Sequence, residues 1–256
     1  MNSLRLFTTT VSLIALSGAA FAATTPAAAA LTKADVAAIV KETIMNDPEI
    51  VMQAIQKLQE KKAVDAKKDA AVALEKNHAA IFNNPDMPST GASAADADVT
   101  IVEFFDYHCG YCKHFLPELA KVVAADKKLR VLLIDFPILS EDSVMAAKAA
   151  IAANRLDKTK YFAFHTELMK QSGKYDEKAI ADAAKKVGLK PDALKAEMAK
   201  PEVAAILDKN RALASDLGIS GTPGLIIGNE VVPGAMSADE MTKLIAAARA
   251  DKAAKK

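Results

Sequence analysis

The chain has 256 residues, with 33 lysines and arginines against 32 acidic side chains, 51% hydrophobic residues and only two cysteines. This charge balance disfavours a general nucleic-acid-binding protein, which needs a basic excess to displace phosphate counterions, and the composition disfavours wholesale disorder. A chain of this length buries a core without disulfide bonds, and Cys109 and Cys112 close too small a loop to stabilise it much. We therefore interpret the two cysteines as a chemical site rather than a structural link.

Residues 1–22 have the pattern of an export signal. Arg5 supplies a weak positive charge, Leu13 and Leu16 lie in a short apolar core, and the run ending at Ala22 fits the small-x-small cleavage rule. No later segment approaches the roughly 18 apolar residues that a membrane span requires. We expect a cleaved signal peptide and an exported product without a membrane span; the alternative is an uncleaved N-terminal anchor.

Two amphipathic helices are predicted in the next segment, residues 23–82. Thr32 and Asp35 have the spacing of a capping box for the first helix, and Pro48 is tolerated at the start of the second. The apolar stripes of the two helices consist of Val36, Ile39, Val40 and Ile44, and of Val51, Ile55 and Leu58. Such a segment has nothing within its own length to bury these stripes against. We expect self-association through residues 31–82, and packing against the downstream domain is the alternative.

The remaining residues, 83–256, predict one α/β domain that follows turn-rich residues 83–91. The strands are predicted at residues 99–105, 129–136, 225–227 and 231–232. The helices are predicted at residues 110–125, 141–156, 158–171, 176–187, 191–199 and 201–217, and from Ser237 onward. Strand, helix and strand in succession indicate a parallel crossover. The expected fold is a small mixed sheet with a helical insertion at about residues 138–217.

The two cysteines lie where a predicted strand ends and a helix begins. Cys109 is placed at the helix N-terminus, where unpaired backbone N–H groups and the helix dipole favour a thiolate. Cys112, one turn further on, is positioned to attack a mixed disulfide formed on Cys109. Thiol–disulfide exchange is therefore the favoured chemistry, with Cys109 as nucleophile and Cys112 as resolving thiol.

Other interpretations of the pair fit less well. A structural zinc site needs four ligands, and His108 and His114 could complete a set only with awkward local geometry. A hydrolase nucleophile is disfavoured by a second thiol three residues away. We expect no metal and no other cofactor. The two histidines could instead hold positive charge near Cys109, or be solvated surface residues.

Glu103 and the Thr222-Pro223 pair are the other candidate site residues. Glu103 interrupts an apolar strand, so we expect a buried carboxyl with a raised pKa that shuttles the proton of Cys112. Asp135 competes for this role, and an exposed edge position is the alternative for Glu103. A proline just before a strand indicates a fixed turn or a cis bond, and Thr222 could then pair with an extended substrate beside the cysteines. An ordinary trans turn is the alternative.

Taken together, these motifs resemble the exported bacterial DsbA-like proteins of the thioredoxin fold, over roughly residues 80–250. The resemblance is carried by the runs at residues 102–107, 109–113 and 136–139, by Ser143 and by Thr222-Pro223. It implies that Cys109 is the nucleophile, Cys112 the resolving cysteine and Glu103 the buried acid. It also implies that Thr222-Pro223 is the cis-proline substrate loop.

Two positions depart from the strongly oxidising members, which carry Pro-His between the cysteines and Val before the cis-proline. Gly110-Tyr111 and Thr222 are similar instead to the dimeric disulfide isomerases, and the N-terminal helices resemble those of trimeric suppressor-of-copper-sensitivity (ScsC-like) members. Tyr111 offers no cation to the Cys109 thiolate, which lowers the reduction potential. With the substrate loop, Gly110 and Tyr111 are the expected client contacts.

The function expected from the resemblance is that of a periplasmic protein disulfide isomerase. It would act on misoxidised exported clients, be kept reduced by a membrane thiol reductase, assemble as a homotrimer and contribute to copper tolerance. One alternative is a monomeric dithiol oxidase of DsbA type. Another is a periplasmic copper-binding or metal-handling protein that uses Cys109, Cys112 and a histidine as soft ligands.

Overall fold

The computed structural model describes residues 30–254, so the predicted signal peptide lies outside the described residues. The chain divides into two compact units, Met1–Gln56 and Lys57–Lys256. Within residues 30–254, no helix combines the length and the apolar character that a bilayer crossing demands.

The described part of the first unit is helical. Helix α1, Lys33–Asn46, begins with the predicted capping box, in which the Thr32 hydroxyl accepts the Asp35 N–H at 3.2 Å and the Asp35 carboxyl accepts the Thr32 N–H at 2.9 Å. Helix α2, Glu49–Phe82, starts in this unit. None of the α1 side chains is buried, and the predicted apolar stripe is exposed, with Ile39 and Val40 each 50% accessible.

The second unit contains a five-stranded mixed sheet. The strands are β1 (Ser89–Gly91), β2 (Val99–Phe105), β3 (Leu129–Asp135), β4 (Gly224–Ile227) and β5 (Glu230–Pro233), in the order β1-β3-β2-β4-β5. Only β2 and β3 are parallel. The helices are α3 (Gly110–Ala125), α4 (Glu141–Leu156), α5 (Lys158–Met169), α6 (Glu177–Lys186), α7 (Pro191–Met198), α8 (Pro201–Asp216) and α9 (Ala238–Ala254). The predicted crossover and helical insertion are both present.

The sheet is buried on both faces. Ile101 and Phe105 of β2 belong to the core formed with α3, α4 and α5, whereas Val102 of the same strand faces a second core. Leu74 and Ile81 of α2 belong to that second core and are 4% and 0% exposed. The C-terminal part of α2 therefore packs on the sheet.

The boundary between the units differs from the predicted one. We expected the N-terminal segment to end at residue 82, but the compact units divide at Gln56 and Lys57. The physical reason is the burial of Leu74 and Ile81, whose apolar surface is removed from water only against the strands of the second unit. Both residues lie C-terminal to the apolar stripe of Val51, Ile55 and Leu58 that the sequence predicts for the second helix.

The short strand β1 was not predicted, because its residues lie at the end of a turn-rich run. Ser89–Gly91 pairs antiparallel with β3, opposite Arg130 to Leu132. Gly91 has φ +81°, and a Cβ there would collide with the carbonyl oxygen of Leu129. Gly91 thus acts here as a strand residue at a sheet edge, where the close approach of the Leu129 carbonyl excludes a side chain.

Candidate active site

The two cysteines lie at the junction of β2 and α3, as predicted. Cys109 is the N-cap residue of α3, and its Sγ accepts the backbone N–H of Cys112 at 3.4 Å. Both thiols are free. Cys109 is 6% exposed and Cys112 is fully buried, so the first cysteine alone reaches the surface.

The Thr222-Pro223 segment lies beside Cys109. The peptide bond between the two residues is cis, and the Sγ of Cys109 donates a hydrogen bond to the carbonyl oxygen of Thr222 at 3.1 Å. The sheet explains this proximity, because β4 pairs antiparallel with β2 and Gly224 stands opposite Phe104. The N-terminal end of β4 therefore lies beside the C-terminal end of β2, at one end of the strands.

Glu103 lies in the central strand and is 2% exposed. Its neighbours on β3 and β4 are Leu133 and Leu225, and burial raises the pKa of its carboxyl to about 8. The alternative of an exposed edge position is therefore wrong. Burial also raises the pKa of the Cys112 thiol well above its ordinary value, and the charge of Glu103 raises it further. The site thus holds a carboxyl that titrates near neutral pH and acts electrostatically on the inner thiol.

Asp135 is the second buried carboxyl of the sheet. It is 1% exposed, and burial raises its pKa well above the usual range. Its Oδ1 has no hydrogen-bond partner in the described part of the chain, whereas its backbone carbonyl accepts the side-chain amide of Asn210 at 3.0 Å. The charge of Glu103, by contrast, raises the pKa of the Cys112 thiol, so this carboxyl acts on the inner cysteine.

Asp106 organises the loop that precedes the cysteines. Its Oδ1 accepts the N–H of His108 at 2.7 Å and the hydroxyl of Ser143 at 2.6 Å. Its Oδ2 accepts the N–H groups of Ile138 and Leu139 at 2.8 and 3.0 Å. One carboxyl therefore joins three segments. No role was predicted for Asp106 from the sequence, although an aspartate just before a turn is a recognisable local signal.

The two histidines flanking the cysteines have polar contacts of their own. His108 Nε2 lies 3.9 Å from Asp142 Oδ2, and the His108 ring packs edge-on against Tyr175 at 4.9 Å. His114 Nδ1 lies 2.7 Å from the carbonyl oxygen of Gly110. The predicted tuning of Cys109 by these side chains stays a prediction.

Buried aromatic side chains and a buried imidazole hold the loop that precedes the cysteines. The Tyr107 hydroxyl lies 3.0 Å from Nδ1 of His165, and the Tyr175 hydroxyl donates to the Tyr107 carbonyl oxygen at 2.7 Å. His165 is fully buried, and burial lowers its pKa to about 3, so this imidazole is neutral. Lys113 contacts the same group, with Nζ 5.6 Å from the Tyr175 ring centre and a hydrogen bond to the Gln171 carbonyl. Sequence reasoning missed these residues because no local pattern joins α5 to the loop.

Gly110 and Tyr111, the expected client contacts between the cysteines, are far more exposed than the two thiols. Tyr111 is 74% exposed, and Gly110 is exposed beside it. Within residues 30–254, no three side chains of histidine, cysteine, aspartate or glutamate converge as a metal site would require. The site that the structure builds consists of one slightly exposed thiol, one fully buried thiol, a buried carboxyl and a neighbouring loop carbonyl.

Fold and site together define a thioredoxin-fold protein with a dithiol at the strand-to-helix junction. The chain belongs to the DsbA-like thioredoxin domain family, whose model matches residues 100–246. Residues 33–63 match the model of the copper resistance protein ScsC N-terminal domain. The predicted resemblance to ScsC-like members of this family is therefore confirmed.

Solved structures and curated relatives agree with this assignment. The chain is 39% identical to a thioredoxin-like oxidoreductase from Silicibacter pomeroyi, with a TM-score of 0.63 and coverage of 68% of this chain and 98% of that one. It is 33% identical to ScsC of Proteus mirabilis in a transitional conformation, with a TM-score of 0.64 and coverage of 87% and 99%. Disulfide bond formation protein D of Bacillus subtilis is 26% identical over 160 residues, 59% of this chain and 72% of that protein. The protein is a thiol–disulfide oxidoreductase, as predicted.

Proposed function

We propose that this oxidoreductase is an exported, periplasmic protein disulfide isomerase that acts on misoxidised client proteins. The observation that carries the proposal is the hydrogen bond from Cys109 Sγ to the Thr222 carbonyl, 3.1 Å long, beside the exposed Tyr111. It supports a reactive thiol at the surface, next to a loop whose backbone accepts hydrogen bonds. An extended client segment is the partner that such a loop pairs with.

The proposed reaction begins with the Cys109 thiolate. It attacks one sulfur of a client disulfide, a mixed disulfide forms, and the other client sulfur leaves as a thiolate. A second client thiolate then attacks the mixed disulfide, so the client's disulfide is rearranged and Cys109 is released with no net change in electrons. Thr222, Pro223, Gly110 and Tyr111 contact the client in this proposal.

Cys112 provides the exit when rearrangement stalls. Glu103 takes the proton of the Cys112 thiol, the Cys112 thiolate attacks Cys109, and the client leaves reduced while the Cys109–Cys112 disulfide forms. The two electrons that the client has gained are replaced by a membrane thiol reductase, which returns the dithiol to its reduced form. The buried carboxyl with a pKa of about 8 supports this role for Glu103.

Assembly as a homotrimer through residues 31–82 is the second part of the proposal. The exposed stripe of α1 supports it, because Val36, Ile39 and Val40 are 46%, 50% and 50% accessible in the single chain. Burying such a stripe between copies removes apolar surface from water. Several dithiols would then surround one client, and an oxidising partner would have poorer access to each of them.

Recovery of activity by scrambled ribonuclease tests the isomerase. The reduced protein is expected to restore ribonuclease activity catalytically, and the Cys109→Ser variant is expected to restore none. Removal of residues 23–56 is expected to lower the molar mass per particle to that of one chain in light scattering, and to weaken the rescue. A protein that oxidises dithiols but never rescues scrambled ribonuclease is not an isomerase.

A dithiol oxidase is the second candidate function. The name of the matched Bacillus subtilis relative, a disulfide bond formation protein, favours it. The reduction potential of the Cys109–Cys112 pair separates the two candidates, because an oxidase needs the higher potential. Equilibration of the protein with glutathione buffers, followed by mass spectrometry of alkylated thiols, gives this potential directly.

A further inference from the structure

A second apolar feature lies in the helical insertion, outside the dithiol site. A groove of about 370 Å³ is formed between α4, α6 and α7. Its apolar wall consists of Met145, Ile180, Leu194 and Met198. Ile180 and Leu194 are 4% and 1% exposed and form a floor anchored in the main core, whereas Met145 is 43% exposed at the mouth. The groove is therefore preformed, with one flexible apolar side chain at its entrance.

The groove is lined by the same helix, α4, that contacts the residue before Cys109. Asp142 on α4 lies 3.9 Å from His108, the residue that precedes Cys109. Met145 and Lys148 follow Asp142 at intervals of three residues on the solvent side of α4, so they lie on one face. The rise from Asp142 to Met145 is about 4.5 Å. Met145 thus lies about one helical turn from the residue that touches the dithiol loop.

Exposed apolar side chains also border the dithiol loop itself. Ile138 and Leu139 are 43% and 54% exposed, and their backbone N–H groups are bound to Asp106, which also holds the N–H of His108. Apolar surface therefore adjoins the loop, and α4 connects the loop to the groove. Because α4 contacts His108 through Asp142 and lines the groove through Met145, a segment bound at Cys109 is the occupant that this position favours.

We propose that the groove binds an aliphatic side chain of the client segment whose cysteine reacts with Cys109. The inference rests on the proposed function and adds a preference within the client sequence. Methionine side chains adapt to differently shaped apolar partners, which suits a site for many clients. Incompletely folded proteins expose aliphatic side chains, so a groove of this kind selects them over native ones.

The charges at the rim do not oppose such an occupant. Lys195 Nζ and Glu177 Oε1 form an ion pair of 2.5 Å between α7 and α6, and their side chains are 66% and 74% exposed. An exposed pair of this kind stabilises little and parts readily. Lys148 and Asp192 complete a rim of two positive and two negative side chains, which gives no preference for a charged ligand.

Exchange kinetics with matched peptides test the proposal. Each decapeptide carries one cysteine in a mixed disulfide with glutathione. The peptides come in pairs that differ only in a leucine or a serine at one test position. The test position is moved stepwise along the peptide from pair to pair. The Cys109 thiolate attacks the peptide sulfur, the peptide–Cys109 disulfide forms and glutathione leaves as a thiolate. At the best spacing, we expect the leucine peptide to react roughly tenfold faster, the factor that corresponds to burying one leucine side chain.

The leucine-to-serine rate ratio is then compared among variants, so each variant is its own reference. Met145→Gln keeps the length of the side chain and is expected to reduce the ratio below threefold. Leu156→Gln is the matched control, because Leu156 is on the same helix, is 41% exposed and lies outside the groove. The proposal is overturned if Met145→Gln keeps the leucine-to-serine rate ratio of the parent protein. It is also overturned if Leu156→Gln lowers that ratio as much as Met145→Gln does.

Methionine methyl NMR of the full chain separates this proposal from the proposed function. Titration with a cysteine-free leucine peptide is expected to shift the Met145 and Met198 methyl signals saturably and to leave the buried Met241 unchanged. The serine peptide is expected to shift neither. Absence of shifts refutes the groove as a binding site. Saturable shifts in a protein that exchanges no disulfide support the groove and refute the isomerase instead.

Discussion

The sulfur of Cys109 lies 3.1 Å from the carbonyl oxygen of Thr222, although 113 positions separate the two residues along the chain. The contact depends on the antiparallel pairing of β4 with β2 and places a backbone acceptor beside the outer thiol. Cys112 lies in the first turn of the helix that Cys109 caps and is fully buried. In the proposed mechanism the partly accessible thiol of Cys109 attacks the client and the buried thiol of Cys112 releases it.

This separation predicts opposite behaviour of two single variants. Cys112→Ser is expected to accumulate a mixed disulfide between Cys109 and a client, because the attack remains possible and the release is lost. Cys109→Ser is expected to accumulate none, since its remaining thiol is buried. Non-reducing electrophoresis with mass spectrometry after incubation with scrambled ribonuclease, whose disulfides Cys109 can attack, measures both. Equal trapping by the two variants would contradict the assignment.

The raised pKa of Glu103 predicts a pH-dependent stability. Between its ordinary value of 4.5 and the folded value of about 8, the folded protein binds a proton that the unfolded chain releases. The unfolding free energy therefore falls as pH rises through this window, with a limiting slope of about 1.4 kcal/mol per pH unit from this group. Glu103→Gln is expected to be more stable than the parent, by an amount that grows from pH 5 to pH 8.

Urea unfolding of the reduced protein at pH 5, 6, 7 and 8 measures this difference. Glu230→Gln is the matched control, because it removes an exposed carboxylate from a strand of the same sheet. A stability difference between Glu103→Gln and the parent that stays constant over the four pH values would show that Glu103 titrates normally.

Asp106 is expected to be a stabilising residue as well as a positioning one. In asparagine, an NH₂ group replaces one of the two carboxyl oxygens of Asp106. This NH₂ group is a donor, so it cannot accept the hydrogen bonds that the replaced oxygen accepted. Asp106→Asn is therefore expected to lower the unfolding free energy by about 2–4 kcal/mol and to slow client exchange. Ser143→Ala removes one of the four hydrogen bonds and is expected to cost about 1 kcal/mol. Guanidinium unfolding checks both values, and equal costs would contradict the central role of the carboxyl.

The packing of α2 on the sheet predicts where the chain tolerates change. Leu74→Ala and Ile81→Ala are each expected to destabilise the second unit by about 2–5 kcal/mol, because both side chains are buried against the strands. Val72→Ala is the control on the same helix, since Val72 is 62% exposed. Thermal unfolding of a chain that begins at Lys57 isolates the effect, and a loss no larger than that of Val72→Ala would contradict this packing.

The elements nearest the dithiol could be predicted because their signals are local. The apolar run that ends at Phe105 and the helix that follows Cys109 were placed at the observed residues, and Glu103 stood out as the only charged residue in that strand. A carboxylate inside a continuous apolar run is desolvated wherever the strand lies in the sheet. For Glu103, the burial that its apolar sequence neighbours predict is therefore the burial found in the sheet.

Other features depended on residues far apart in the sequence. His165 and Tyr175 meet Tyr107 across 58 and 68 positions, and neither carries a motif. Strand β1 is three residues long and exists because β3 offers an unpaired edge. The packing of α2 on the sheet was not predicted for a related reason, since the burial of Leu74 and Ile81 depends on strands far away in the sequence. Local periodicity contains no information about such partners.

The complete burial of Cys112 also bears on oxidative damage. Peroxide meets the outer thiol first, because Cys109 is 6% exposed and Cys112 is not exposed at all. A sulfenic acid formed on Cys109 has the inner thiol one helical turn away, and their condensation releases water and yields a disulfide ahead of irreversible sulfinic acid. Repair is then the reduction of that disulfide by two electrons from a thiol reductase, the same step that the proposed function requires after each stalled exchange.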